Sequence, residues 1–491
     1  MLVFPDREWP GIRTDGGEAI FIFASGTRAK ELQCIIALFC PFDSSDLSFA
    51  GPSDLLSDSK VLTVPEDMPL DIIIVGSGIA GLATGIGLLA QGHQVRIYER
   101  RDASNFEETG SGIQLQTNIN HILMEWGMLD AVKKIAHDNV GVDMRDQNGS
   151  TIGQLHHQGP TYYASRQAYK SLFRDVAVSR GAQIHENCVV QAMEPGTSTV
   201  IFADGSRALG DIIIGADGSG SKVRQALFPD YIPIMRSMAC FQVTLPLEKV
   251  GNDALLRDVI SGPNNTMTIA PGRSIFASPA PAEGVFDMQF IDHEYTLEQD
   301  PNSSQPTERI YDLVWLRQRW SDHSAAHRKA LDIASSAFKW RFVEVFGLPS
   351  WSNAKGNVVL VGDACHAMTP FAGQGTAMVI EDTAVLAKLL GRHASVRQLP
   401  RLVMLYEKAR RPRAEKVQGL AAAYGRSWAS KDTEHVRSRN AQIQLQSSGR
   451  TPTASKQDAN APYGSPDFLL WLNQHNVLEG LENVDRELAK L

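Results

Sequence analysis

Residues 71–100 read DIIIVGSGIAGLATGIGLLAQGHQVRIYER, and the fold turns on this stretch. DIIIV is a short β-branched apolar run, long enough for a buried strand and too short for a helix. GSGIAG breaks it. IAGLATGIGLLA then carries apolar and small residues at helical spacing, and QVRIYE alternates as a second strand. A strand, a glycine turn, a helix and a second strand make a parallel pair with its crossover. The glycines are spaced for a phosphate cradle. Gly76 allows the tight turn, Gly78 lets the backbone approach a pyrophosphate, and Gly81 lets the helix lie close on the strand. The helix N-terminus offers free N–H groups to the phosphates. Glu99 closes the second strand, where a carboxylate binds ribose hydroxyls and repels a 2′-phosphate. The stretch reads as a cradle for an adenosine with free ribose.

The rest of the chain sets bounds around that cradle. Its 491 residues are 43% hydrophobic and 21% charged, which suits two or three interlocked globular domains. The net charge of −8 comes without a basic run, which argues against a nucleic-acid partner or an anionic membrane surface. The five cysteines, Cys34, Cys40, Cys188, Cys240 and Cys365, are scattered and odd in number. They form neither a CxxC nor a metal-ligand spacing with histidine, so no metal is expected and a reducing, cytoplasmic setting is. The first residues lack the basic start and apolar run of a secretory signal. No apolar stretch reaches the ~18–20 residues that span a bilayer. Oligomeric state is not legible.

Texture divides the chain. Residues 1–67 read as an irregular N-terminal extension. Residues 68–232 alternate strand and helix, the pattern of an α/β sheet. Residues 233–340 carry short alternating runs between Pro, Gly and Asn turns, such as MACFQVTLP and VFDMQFIDHE, which predict an antiparallel sheet. Residues 341–430 return to α/β texture and long helices. Residues 431–491 read as a polar loop over 434–465 and a terminal helix over 467–491.

A second stretch answers the first. Residues 357–382 read NVVLVGDACHAMTPFAGQGTAMVIED. A bare dinucleotide fold does not need them. The strand delivers Asp363 at its carboxyl end, where ligands sit in open α/β sheets, and Asp363 can accept from sugar-like hydroxyls. Pro370 to Gly375 form a glycine-rich loop. The helix from Thr376 presents an N-terminus that favours negative charge on a bound ring. One chain carrying both stretches can hold a long cofactor at its two ends.

Together with GADGSGSKVR at 215–224, GSGIQLQTN at 110–118, Arg166 before a helix, and YEKARRPRAEKVQ at 406–418, these stretches resemble class A flavoprotein monooxygenases. The branch is the salicylate-hydroxylase-like one of the para-hydroxybenzoate hydroxylase fold, and the resemblance spans about residues 69–430. It implies a Rossmann-like FAD-binding domain interlocked with an antiparallel-sheet substrate domain and a helical C-terminal region. It implies FAD, with NADPH or NADH as reductant, O2 as co-substrate and a small aromatic substrate. It places Glu99, Gly112, Arg166, Asp363, Gly375 and Thr376 on FAD, and gives Asp217 a supporting role toward FAD and the pyridine nucleotide. Similar fungal proteins act in secondary-metabolite biosynthesis.

Two departures bear on the substrate. The usual His-Pro after the second glycine–aspartate turn is His366-Ala367, with Pro370 kept. The aromatic–Arg pair of similar enzymes, which helps hold a phenolate, is Phe241-Gln242. A neutral Gln offers a donor and an acceptor but no charge. Gln242 and Pro370 are therefore the candidate substrate-pocket residues. The catalytic base is not assigned: His121, His156, His157, His366, Tyr162 and Tyr163 qualify by type only, and burial in the core or exposure at the surface is the more ordinary reading of each. The alternatives to ring hydroxylation are epoxidation of an alkene and a catalytically inactive FAD-binding protein. A single GxGxxG argues against oxygenases with a second dinucleotide fold.

Overall fold

The computed structural model describes residues 21–25, 33–37, 69–102, 112–259, 264–298, 307–391, 394–450 and 453–479. The chain divides into two units, Met1–Met68 and Pro69–Leu491. In the first, strands Phe21–Ser25 and Gln33–Ala37 pair antiparallel. The remainder of the expected 1–67 extension lies outside the described residues.

The second unit is built on two large sheets. The parallel one runs Val358–Leu360, Ile212–Gly215, Asp71–Val75, Gln94–Tyr98, Gln183–His185. Its strands are Val/Ile-rich because both faces are covered: helix Ile79–Ala90 meets Val95 and Ile97 on one, and on the other Tyr98 meets Phe202 of a small antiparallel sheet, Val190–Glu194, Thr199–Phe202 and Arg207–Leu209. Ile72, Ile73, Ile74, Ile213 and Val359 are fully buried. Helices Ile79–Ala90 and Gly375–Leu389 pack on each other beside it. The carboxyl ends of three neighbouring strands come level, since Ala216 N–H donates to Val75 and Val361 N–H to Gly215. That alignment sets Gly76, Asp217 and Asp363 along one edge.

The second sheet has nine strands in the order Thr307–Ile310, Ala337–Glu344, Ile234–Pro246, Val285–Asp292, Arg273–Ala280, Asn265–Ala270, His137–Asp146, Thr151–Ala164, Ile113–Leu115. The expectation of an antiparallel sheet confined to 233–340 needs correction. Three of its strands come from residues 113–164, and Asn265–Ala270 pairs parallel with His137–Asp146. Local texture could not show this, because the pairing joins segments more than a hundred residues apart.

The polar segment 434–465 is also corrected. Helix Thr433–Ser447 occupies its start, with the Asp432 side chain accepting from the N–H groups of Glu434 and His435. Its sequence has no apolar stripe. It is held by Ile443, which is buried with Met144, Ile152, Met267 and Ile269. Gly153 makes room for it: a Cβ there would stand 3.1 Å from both Ile443 and Ser447. The terminal helix spans Pro466–Asn473, and residues 480–491 lie outside the described ones. Among the described residues, no helix is long and apolar enough to cross a membrane.

Candidate active site

Gly76 sits at φ +101°, and a Cβ on it would lie 2.6 Å from the Ala216 carbonyl. A Cβ on Gly81 would lie 1.9 Å from the Gly76 carbonyl, whereas one on Gly78 meets nothing within 4 Å. The turn is therefore packed shut at Gly76 and Gly81 and open at Gly78, the position a pyrophosphate would approach. Glu99 accepts from the Ser77 N–H at 2.8 Å, the Ser77 hydroxyl at 3.0 Å and the Arg101 N–H at 3.0 Å. Burial pushes its carboxyl up, but these donors pull harder and hold it below the ordinary range. It is an ionised acceptor at the strand end.

Asp217 stands apart from this role. Its carboxylate accepts from the Ser221 hydroxyl and from the N–H groups of Lys222 and Val223, capping helix Lys222–Leu227. It braces the segment on which the Gly76 turn rests.

The second glycine–aspartate turn is held from below. Gly362 adopts φ +61°, and a Cβ there would stand 2.8 Å from a Val379 methyl and 3.3 Å from Ala80. Its N–H donates to Asp382 at 3.2 Å. Asp382 also binds His366 Nε2 and Arg410 Nε, and Glu381 binds Arg410, Arg413 and the Asn118 amide. All six side chains are buried. Burial would strip the His366 proton, but Asp382 outweighs it and lifts the imidazole above its ordinary value. Cys365, His366 and Asp382 lie close together, and the Asp382 oxygens are already engaged by this ion-pair core. The exposed Asp363 follows Gly362 and faces a cavity.

That cavity has a volume of about 810 Å³, toward the upper end of ligand pockets. Gly112, Arg166, Asp363, Pro370, Gly375 and Thr376 line it, as does Ile79 at the head of the first helix. Gly76, Gly78, Gly81, Glu99, Asp217 and Gln242 do not. The nine-stranded sheet contributes Met144, Met267, Phe276, Gln289 and Ile291. The Tyr424 and Trp428 rings stack at 5.4 Å, and Phe371 meets Trp428 edge-on at 5.7 Å. Gln446, Thr453, Leu469 and Asn473 bring the C-terminal region to the wall. Gly112 is fixed by Tyr163, whose hydroxyl would lie 2.1 Å from a Cβ there.

Gln242 shares a sheet face with cavity residues, because it pairs with Gln289, which pairs with Phe276. Phe241 points to the opposite face, into a core with Trp315 and Trp320. The Gln242 amide is tied to Asp287, which lies behind the wall and accepts from the lining residue Gln289, so Gln242 reaches the cavity wall only through Asp287. Of the histidines and tyrosines named by type, His156, His157 and Tyr163 line the cavity; His366 belongs to the ion-pair core. Sequence reasoning missed Gln114 and Gln116, although IQLQ already showed two amides at strand spacing on one face. Gln116 Nε2 donates to the Gly373 carbonyl at 3.0 Å and steadies the glycine-rich loop.

The residues present fit a flavin: an open turn at Gly78, an ionised acceptor at Glu99, an exposed carboxylate facing the cavity at Asp363 and a helix N-terminus at Gly375 and Thr376. A parallel sheet with such a turn, beside a mixed sheet that roofs a cavity, suits a flavoprotein. Residues 69–421 match the FAD-binding domain family, and the chain belongs to it, in its class A monooxygenase group; it is an FAD-dependent monooxygenase. It is 27% identical to the FAD-dependent monooxygenase OpS4 of Beauveria bassiana, over 72% of this chain and 85% of that one. It is also 27% identical to 6-hydroxynicotinate 3-monooxygenase of Pseudomonas fluorescens, over 71% and 90%. The fold matches a salicylate hydroxylase substrate complex with TM-score 0.64 and 21% identity, covering 82% of this chain and 98% of that one.

Proposed function

We propose that the protein hydroxylates a small, neutral aromatic or polyketide-like molecule, using O2 and NADPH or NADH. The observation that carries this reading is the charge of the cavity wall. Among its described residues only Arg166 and Asp363 are charged, and both stand where the resemblance places FAD. What remains for a substrate is apolar and aromatic surface with a few amides and imidazoles. Such a wall costs a carboxylate its hydration without returning a counter-charge. The balanced reaction is RH + O2 + NAD(P)H + H⁺ → ROH + NAD(P)⁺ + H2O.

Bound FAD would supply the reduction of O2 and the transfer of one oxygen atom to an electron-rich carbon. The chain's own residues do the rest. Asp363 accepts ribityl hydroxyls, and the N-terminus at Gly375 and Thr376 favours negative charge on the ring. Phe371, Trp428 and the C-terminal helices close the cavity against water, which would otherwise divert the oxygen to hydrogen peroxide. Arg166 stays with the cofactor. The fungal relatives favour a place in secondary-metabolite biosynthesis. The free cysteines Cys188, Cys240 and Cys365 suit a reducing, cytoplasmic setting.

The test is a screen of neutral aromatic and polyketide-type compounds on the FAD-loaded protein, reading NAD(P)H oxidation with product mass. A gain of one oxygen atom coupled to NAD(P)H use is the expected result. A preference for aromatic carboxylates would overturn the neutral-substrate reading.

A further inference from the structure

The cavity wall contains one imidazole whose hydrogen-bonding state can be worked out atom by atom. Thr161 is buried, and its single hydroxyl proton goes to the Asn139 carbonyl at 2.7 Å. Its oxygen can then only accept. The Gln114 side-chain atom 3.0 Å from that oxygen must therefore be the amide nitrogen. The same nitrogen lies 2.7 Å from His157 Nε2. An amide NH2 cannot accept, so His157 Nε2 must be unprotonated and the ring proton sits on Nδ1. The other end of Gln114 is consistent with this: its oxygen accepts from Asn265 Nδ2 at 3.3 Å, and the Asn265 oxygen accepts from Ser278 at 2.5 Å. The whole chain runs in one direction.

His157 is half-buried and lines the cavity. Burial, with a smaller push from His156, lowers its pKa to about 4, so the ring stays neutral at working pH. Nε2 is committed to Gln114. Nδ1–H is left without a partner among the described residues.

We propose that His157 is a substrate-positioning residue, a neutral imidazole that donates Nδ1–H to a carbonyl oxygen of the substrate, with its tautomer set by Gln114. This rests on reading the cavity as the monooxygenase site, and it adds a chemical demand: the substrate carries a carbonyl acceptor on the edge facing Thr151–Ala164. It also removes His157 from the candidate bases, since an Nδ1–H imidazole with Nε2 occupied has no free lone pair to offer.

The test uses the FAD-loaded full chain and two probes of matched ring size, 7-hydroxycoumarin and 2-naphthol. Both carry a phenolic hydroxyl, and they differ in the lactone group, which brings the carbonyl. Each is titrated while the flavin absorbance difference spectrum is read. The wild type should bind the coumarin roughly 3- to 10-fold tighter, the worth of one neutral hydrogen bond. His157→Phe, which keeps a planar ring and loses the donor, should bind the two equally while retaining FAD. Gln114→Leu, which frees the tautomer, should shrink the preference. A general packing defect would weaken both probes alike. Equal binding in the wild type, an intact preference in His157→Phe, or no response of the flavin to either probe would overturn the proposal. A protein that binds no FAD would instead overturn the reading of the cavity on which the proposal rests.

Discussion

The Gln242 amide donates to Asp287 on the neighbouring strand, so it is held behind the cavity wall rather than in it. Asp287 is buried, which pushes its pKa up to about 6, against the pull of the Gln242 and Gln289 amides. Between the ordinary carboxylate value and about 6, the folded chain keeps a proton that the unfolded chain releases. This group's contribution to stability is therefore present at low pH and lost as pH rises through about 6. Gln242→Ala removes a donor and should lift Asp287 further. The expected outcome is unchanged FAD content and a stability loss of ~0.5–1.5 kcal/mol at pH 7. The fall in melting temperature with rising pH should extend to higher pH than in the wild type. Melting curves from pH 4 to 8 for both proteins check it, and superimposable profiles would refute it.

Asp363→Ala should cost at least about tenfold in FAD affinity, the worth of hydrogen bonds to a charged acceptor. The side chain is exposed toward the cavity, so its removal opens no core void. Flavin titration of the apo-protein measures the loss, and an unchanged melting temperature of the apo form separates it from misfolding.

The two glycines of the first turn should fail differently. Gly78→Ala meets nothing within 4 Å and sits at φ −69°, so the apo-protein should melt normally yet bind FAD poorly. In Gly81→Ala the new Cβ would lie 1.9 Å from the Gly76 carbonyl. It should lose both FAD and stability. Parallel behaviour of the two variants would contradict the open-and-shut geometry of the turn.

Glu381→Gln tests the buried ion-pair core. Arg413 and Arg410 overcome burial and hold the Glu381 carboxyl down to about 2. Its stabilisation is thus fully present above the ordinary value of 4.5 and lost as pH falls toward about 2. Breaking such a pair costs ~3–5 kcal/mol by leaving arginines uncompensated. The variant should melt well below the wild type at pH 7, and the gap should narrow as the medium is acidified below pH 4.5. A constant gap would mean that Glu381 acts through shape alone.

A chain beginning at Met68 should keep its FAD and its melting temperature, because the unit Pro69–Leu491 contains the whole parallel sheet and the cavity. Flavin content and calorimetry of the shortened chain decide this; loss of either would show that the first unit supports the second.

The sequence by itself determined the parts whose physics is local. A strand, a glycine turn and a helix N-terminus are neighbours in the chain, so Gly76, Gly78, Gly81, Glu99 and Asp363 could be given chemistry from their spacing alone. The tertiary structure decided which side chains share the cavity. Gln114 and His157 meet because Ile113–Leu115 and His137–Asp146 both pair with Thr151–Ala164. Phe241 and Gln242 could have exchanged faces with a one-residue shift of register. Packing of Phe241 against Trp315 and Trp320 settled that choice. Helix Thr433–Ser447 carries no apolar stripe, and its one buried apolar side chain, Ile443, docks on Gly153 and among Met144, Ile152, Met267 and Ile269. Such contacts join residues far apart in sequence, and their energy depends on surfaces that exist only once the sheets have formed.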